Sequence, residues 1–294
     1  MEEIGPGTEA AIRIGSFLSV LALLAIWERS APRRSRQFPR RRRWSSNFGL
    51  VALNTLIVRL VVPVTAVAAA VFAAGRNWGL LHLVDWPPWI EIPLAVLIFD
   101  LAIYLQHVMF HAVPLFWRLH RVHHADPEFD LSTGVRFHTF EILLSAFIKL
   151  GVVFVLGPAA VAVVLFEVLL NATSMFNHSN IRLPLRVDNW LRWLVVTPDM
   201  HRVHHSIRPH ETNSNFGFNL PWWDHLLGTY RSQPAAGHEK MQIGLEGLTD
   251  ERDIVRFWGV LRLPFGTSQQ PRDQYPINRR PYTPPDRDGD APGS

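Results

Sequence analysis

Leu105–His124 reads LQHVMFHAVPLFWRLHRVHH, and its last five letters return verbatim at His201–His205. The stretch carries His107 and His111 as HxxxH, then His120, His123 and His124 as HxxHH; the return adds His201, His204 and His205. On a helix, positions three and four apart share a face, with Cβ atoms about 5–6 Å apart. Each HxxHH therefore presents a claw of imidazoles, and HxxxH presents a pair. A lone HxxxH arises readily as two surface histidines, and a lone HxxHH as a weakly basic solvated face. A repeated HRVHH beside an HxxxH is different, because three such clusters exceed what a core requires. Imidazole suits zinc, copper, iron and nickel, so the clusters predict metal.

Composition narrows the ligand chemistry. None of the 294 residues is cysteine, which excludes disulfides, thiolate metal sites, iron–sulfur clusters and cysteine nucleophiles. Apolar residues make up 48% and come in blocks, with eleven Trp and eighteen Phe, as in a membrane protein with interfacial aromatics. The net charge of +4 suggests nucleic acid only superficially, since much of it sits in one arginine run between apolar blocks. No nucleic-acid partner is expected.

The blocks order themselves into spans. Ala10–Trp27 is near the ~20 residues a spanning helix needs. Mixed charges before it (Glu2, Glu3, Glu9, Arg13) and no small-residue cleavage site favour a retained span over a signal peptide. Arg29, Arg33, Arg34, Arg36 and Arg40–Arg43 then mark a cytoplasmic loop under the positive-inside rule. Phe48–Ala73 runs outward, Ala74–Pro88 is external, and Pro93–Val113 returns inward. Ile142–Leu170 breaks at Gly157-Pro158 and reads as a hairpin of two helices, which lets both HRVHH copies share one side. Within Asn177–Tyr230, PWWDHLLGTY suggests an interfacial helix or turn. Residues 263–294 turn to Pro, Arg, Asp, Gly and Gln, the composition of a disordered tail. The expected fold is all-α: a multi-pass transmembrane helical bundle with a cytoplasmic helical cap carrying the histidines, in one membrane-embedded domain, residues 1–262.

One zinc takes three or four ligands, whereas two six-coordinate irons with open positions take roughly eight to ten. His138 in RFHTFE and His178 in FNHSN raise the candidates to ten. Asp100 lies mid-span, where an ionisable group is costly and usually functional. Seven residues before His107, it is expected to hold a ligand histidine through its second nitrogen; a polar contact between helices is the plainer alternative. His82 and His238 read as bystanders, and His210 and His225 stay unassigned.

Through DLAIYLQHVMFH, LFWRLHRVHH, RFHTFEILLSA, NHSNIRLP, TPDMHRVHH and ETNSNFGFNLPWWDHLLGTY, the sequence resembles the fatty acid hydroxylase and sterol desaturase superfamily. The core of the resemblance is residues 93–230. It implies a multi-pass membrane enzyme with a cytoplasmic, histidine-ligated non-haem di-iron centre. Such enzymes use O2 and two electrons to hydroxylate or desaturate unactivated C–H bonds of lipids, here a sterol-like or fatty-acyl lipid. The implied ligands of the two irons are His107, His111, His120, His123, His124, His201, His204 and His205, with His138 and His178 matching additional family histidines; zinc is a possible substitute metal. Electrons would come from a separate ferredoxin or cytochrome b5-like donor. Val108 stands where many members carry Arg, which leaves any role of that arginine in doubt. Two other readings compete. A zinc-dependent membrane hydrolase would want HExxH, for which Glu141, three residues after His138, is the nearest substitute. A non-enzymatic metal-binding membrane protein that transports its metal would string ligands along a pore rather than cluster them at helix ends.

Overall fold

Proline and glycine punctuate the apolar blocks into helices. In a computed structural model describing residues 5–266, these are α1 (Pro6–Ser30), α2 (Arg40–Val61), α3 (Ala66–Gly75), α4 (Pro88–Ala112), α5 (Pro114–His124), α6 (Thr139–Leu156), α7 (Ala160–Asn177), α8 (Leu185–Leu191) and α9 (Pro198–His204), followed by shorter turns. Pro opens α1, α4, α5 and α9, where its fixed φ suits a first turn and its missing N–H costs nothing. Pro63 separates α2 from α3. Gly157 closes α6 at φ 63°, and a Cβ there would stand 1.9 Å from the Trp78 carbonyl oxygen, so the reversal into α7 needs glycine.

Among the described residues there is no strand, and five stretches are long and apolar enough to cross a membrane: 7–30, 40–83, 88–112, 139–156 and 160–177. The protein is an all-α, multi-pass membrane protein. The second stretch is not one rod but α2 followed by α3. At about 1.5 Å per residue, α6 and α7 are each about 27 Å long, close to the ~30 Å of a hydrocarbon core. The hairpin is therefore two full spans. The C-terminal ends of α1, α4 and α7 and the N-terminal ends of α2 and α6 consequently lie together. Contacts bear this out: the Arg33 N–H donates to the Asn180 carbonyl at 3.0 Å, and Trp44 Nε1, in the first turns of α2, to the Asp130 carboxylate at 3.2 Å. Below them α7 packs against α1, α3 and α4, with Phe99 of α4 stacked on Phe166 of α7 at 4.8 Å.

The arginine run departs from the solvated loop expected of a topology signal. Arg43 is wholly buried; its Nε and Nη2 donate to the Asp126 carboxylate at 2.6 and 2.7 Å, and its Nη1 to Asp130 at 2.8 Å. Burial alone would raise both carboxyls, but the Arg43 guanidinium holds Asp126 below its usual range and Asp130 at about 2. Arg34 donates to the His238 and Met241 carbonyls, each at 2.9 Å. These arginines tie the histidine-bearing cap to the bundle. The tail expected from Leu263 starts ordered: Leu263–Phe265 form a 3-10 turn, Leu263 and Pro264 are buried, and Arg118 donates to the Pro264 carbonyl at 2.9 Å. Residues 267–294 of that expected tail lie outside the described residues.

Candidate metal centre

α4 ends one turn beyond His107, so His107 and His111 stand at the mouth of the bundle. Pro114 starts α5 at once and turns the chain back over them. His107 Nε2 then lies 3.1 Å from His120 Nε2, and His111 Nε2 lies 3.1 Å from His124 Nε2. His204 of α9 completes this group of five. A second group joins His123 of α5, His178 just past α7, and His201 and His205 at the end of α9. There His178 Nε2 is 3.0 Å from His123 Nε2 and 3.2 Å from His205 Nε2. Within each group the candidate ligand atoms lie within 4.8 Å of one another, and all nine residues are buried.

Each HRVHH is split between the groups. His120 and His124, one turn apart, face the first, while His123 faces the second. In the repeat, His201 and His205 face the second and His204 the first.

Six of the nine outer nitrogens are anchored. The Nδ1 of His107 reaches the Phe216 carbonyl at 2.7 Å, that of His178 the Ser174 carbonyl at 2.7 Å, and that of His204 the Ser214 carbonyl at 2.7 Å. His111 Nδ1 lies 3.2 Å from Asn213 Oδ1, and His123 Nδ1 lies 3.3 Å from the Arg136 carbonyl. A carbonyl accepts only from an N–H, which fixes the tautomer and leaves Nε2 as the lone-pair donor. Burial pushes His120 and His178 down to about 3, and burial with neighbouring imidazoles holds His123, His124, His201, His204 and His205 well below the usual histidine range. These rings are thus neutral near pH 7, the form that binds metal.

Rings close the surroundings. Phe137 stacks on His123 at 4.6 Å, Phe110 on His120 at 5.6 Å, and Phe218 lies 5.0 Å from His107.

Two expectations change. His138 does not join either group: it caps α6, its Nδ1 accepting from the Phe140 N–H at 3.2 Å and its Nε2 facing the Leu261 carbonyl at 3.3 Å. Both nitrogens are spent on backbone. Asp100 touches none of the nine histidines; it accepts from Trp223 Nε1 at 2.8 Å and from the Asn219 and Leu220 N–H groups at 3.3 Å each. The carboxylate behind a cluster histidine is Glu141, whose Oε1 accepts from His120 Nδ1 at 2.6 Å. His238, read as a bystander, lies outside the groups yet is buried with Nε2 3.6 Å from the Asp199 carboxylate.

Sequence spacing missed Glu141 in this role because its partner lies on another helix. It also missed Arg43, Asp126 and Asp130, although Asp126 follows His124 by only two positions. Glu141→Ala removes the acceptor that holds His120 Nδ1. It is expected to lower metal affinity or turnover by about 10–100-fold, read by metal titration and activity.

The donor set fits metal. Among the described residues, His124 Nδ1, both nitrogens of His201, His204 Nε2 and His205 Nδ1 are buried with no hydrogen-bond partner. Each such buried group costs on the order of 1–3 kcal/mol unless something satisfies it. Cations at the two convergence points would do so for the inward-facing nitrogens.

Comparison with known proteins agrees. The fatty acid hydroxylase family matches residues 92–229, which contain all nine histidines. The chain is 26% identical over 240 residues to the ornithine lipid hydroxylase of Rhizobium tropici, covering 79% of this chain and 70% of that protein. It is 27% identical over 190 residues to the alkylglycerol monooxygenase of Xenopus tropicalis, covering 63% and 41%, so the match spans less than half of that relative. It is 30% identical over 148 residues to the cholesterol 25-hydroxylase of Mus musculus, covering 49% and 48%. No solved structure matches. Through residues 92–229, this chain belongs to the fatty acid hydroxylase family.

Proposed function

We propose that the protein is an O2-dependent oxidoreductase of membrane lipids, in which nine converging histidines hold two iron ions and an unactivated C–H bond is hydroxylated. The observation that carries this reading is the pair of buried, all-imidazole groups, five and four donors, packed against each other. A shell without carboxylate ligands sets it apart from soluble di-iron bundles, which use Glu and Glu-x-x-His.

When bound, the irons supply dioxygen activation and the oxidising power for aliphatic C–H cleavage, which no side chain supplies. The chain's own residues hold, orient and exclude. Carbonyls of Phe216, Ser174, Ser214 and Arg136 fix ring orientation. Phe137, Phe110 and Phe218 keep water from the convergence points. Because His107 and His111 end a span, a lipid reaches the site from the bilayer without crossing water.

Hydroxylation is favoured over desaturation because the three relatives are named for oxygen insertion. Inserting one oxygen atom of O2 and reducing the other to water consumes two electrons and two protons. A separate ferredoxin or cytochrome b5-like protein would supply the electrons. The density of arginines between the first two spans supports a cytoplasmic position for this end. The zinc-hydrolase alternative loses its base, since Glu141 sits behind His120, on the side away from His120 Nε2.

The test is elemental analysis joined to turnover under isotopically heavy O2. About two irons per chain and labelled oxygen in a lipid product are expected. One metal or none in active protein, or turnover without O2, refutes the reading.

A further inference from the structure

Asp100 leads to a feature outside the chemistry. Trp89, 76% exposed, opens α4 at the end away from the histidines. Asp100 lies eleven residues further, about 16 Å along the helix at ~1.5 Å per residue, which is near the middle of a ~30 Å hydrocarbon core. Two backbone amides of a later segment, Asn219 and Leu220, donate directly to its carboxylate. Tyr104, one turn nearer the cap, bonds Thr229 hydroxyl to hydroxyl at 2.8 Å. The chain between residues 214 and 230 therefore runs down beside α4, well past the depth of His107.

We infer that residues 214–230 form a re-entrant loop immersed in the bilayer, whose outer face is covered by lipid acyl chains. Non-helical backbone survives at membrane depth where its polar groups are satisfied within the protein, and both backbone groups of Phe216 and of Asn219 are. The Phe216 and Gly217 amides donate to the Asp224 carboxylate at 2.8 and 2.9 Å, complementing the two amides on Asp100. The Phe216 carbonyl accepts from His107, the Phe218 carbonyl from Asn177 at 2.9 Å, and the Asn219 carbonyl from Val196 at 2.9 Å. Two buried aspartates and a few side chains thus do what a helix does for itself.

The exterior matches that depth. The short helix Trp222–Leu227 turns Trp222, Leu226 (73% exposed) and Leu227 outward, and Trp193 (63% exposed) lies beside it, its carbonyl accepting from Trp222 Nε1 at 2.7 Å. On α4 itself, Leu105 is exposed as well. The loop touches acyl chains on one side and, through Phe216 and Phe218, His107 on the other.

The chain lacks cysteine, so single-cysteine variants report one place each. Leu226→Cys, Trp193→Cys and, as a cap control, Lys240→Cys are labelled with bimane and reconstituted in phosphatidylcholine vesicles brominated at mid-chain. The probes at 226 and 193 are expected to lose most of their emission relative to unbrominated vesicles, and the probe at 240 to keep its emission. Unchanged emission at 226 overturns the inference, whether that position then proves open to a membrane-impermeant maleimide or shielded by protein. Leu227→Cys replaces Leu226→Cys should the latter fail to elute as the parent does. The readout needs no turnover, so it stands or falls apart from the proposed reaction.

Discussion

Arg43→Met is expected to destabilise the protein by about 3–5 kcal/mol, the cost of stripping one partner from a buried charge cluster. Arg43 is fully buried and supplies three charge-assisted hydrogen bonds to Asp126 and Asp130. Without it the two buried carboxylates keep only the more distant Arg36 and Arg136, the latter engaged with the Val122 and Ile254 carbonyls and with Asn47. Thermal unfolding in detergent measures the effect, and its neighbour Arg42 serves as control, since Arg42 pairs with Glu251 on an exposed surface. Arg42→Met should change little. Equal effects for the two variants would mean that the run acts only as a charge signal for orientation.

If the two groups hold one metal each, as proposed, His178→Ala is expected to lower bound metal to about one per chain and to bring turnover to background, because it removes the imidazole whose Nε2 lies 3.0 Å from that of His123 and 3.2 Å from that of His205. His138→Ala should leave the metal content at two, since His138 spends both nitrogens on backbone. Elemental analysis of the purified variants gives the answer without an assay. Full metal in His178→Ala, or a lost metal in His138→Ala, would overturn the division made here.

Much of this was legible in the sequence, for identifiable reasons. Helical spacing of three and four is local geometry, so HxxxH and both HxxHH clusters were readable as faces. Block composition and Gly157-Pro158 gave the spans and the hairpin, because a helix end needs only its own residues. The split of each HRVHH between two groups was not readable, since it depends on how α5 and α9 approach one another. The same limit misassigned Asp100. Proximity along one helix pointed it at His107, whereas Glu141 reaches His120 from a neighbouring helix. His138 looked like a ligand by company, but its position before α6 made it a cap. The arginine run was read by its charge alone, and burial of Arg43 depends on acids some eighty residues away.

The sharing of α9 between the groups bears on biosynthesis. A ribosome releasing the chain from its N-terminus delivers His107, His111, His120 and His124 early, and His123 and His178 with or soon after them, yet neither group is whole until His201–His205 emerges. All five spans precede that segment. Insertion of the spans is then complete before either group can hold a metal, so metal binding would act on an already assembled bundle. A chain stalled before His201 would offer four imidazoles at one point and two at the other, so neither group would be complete.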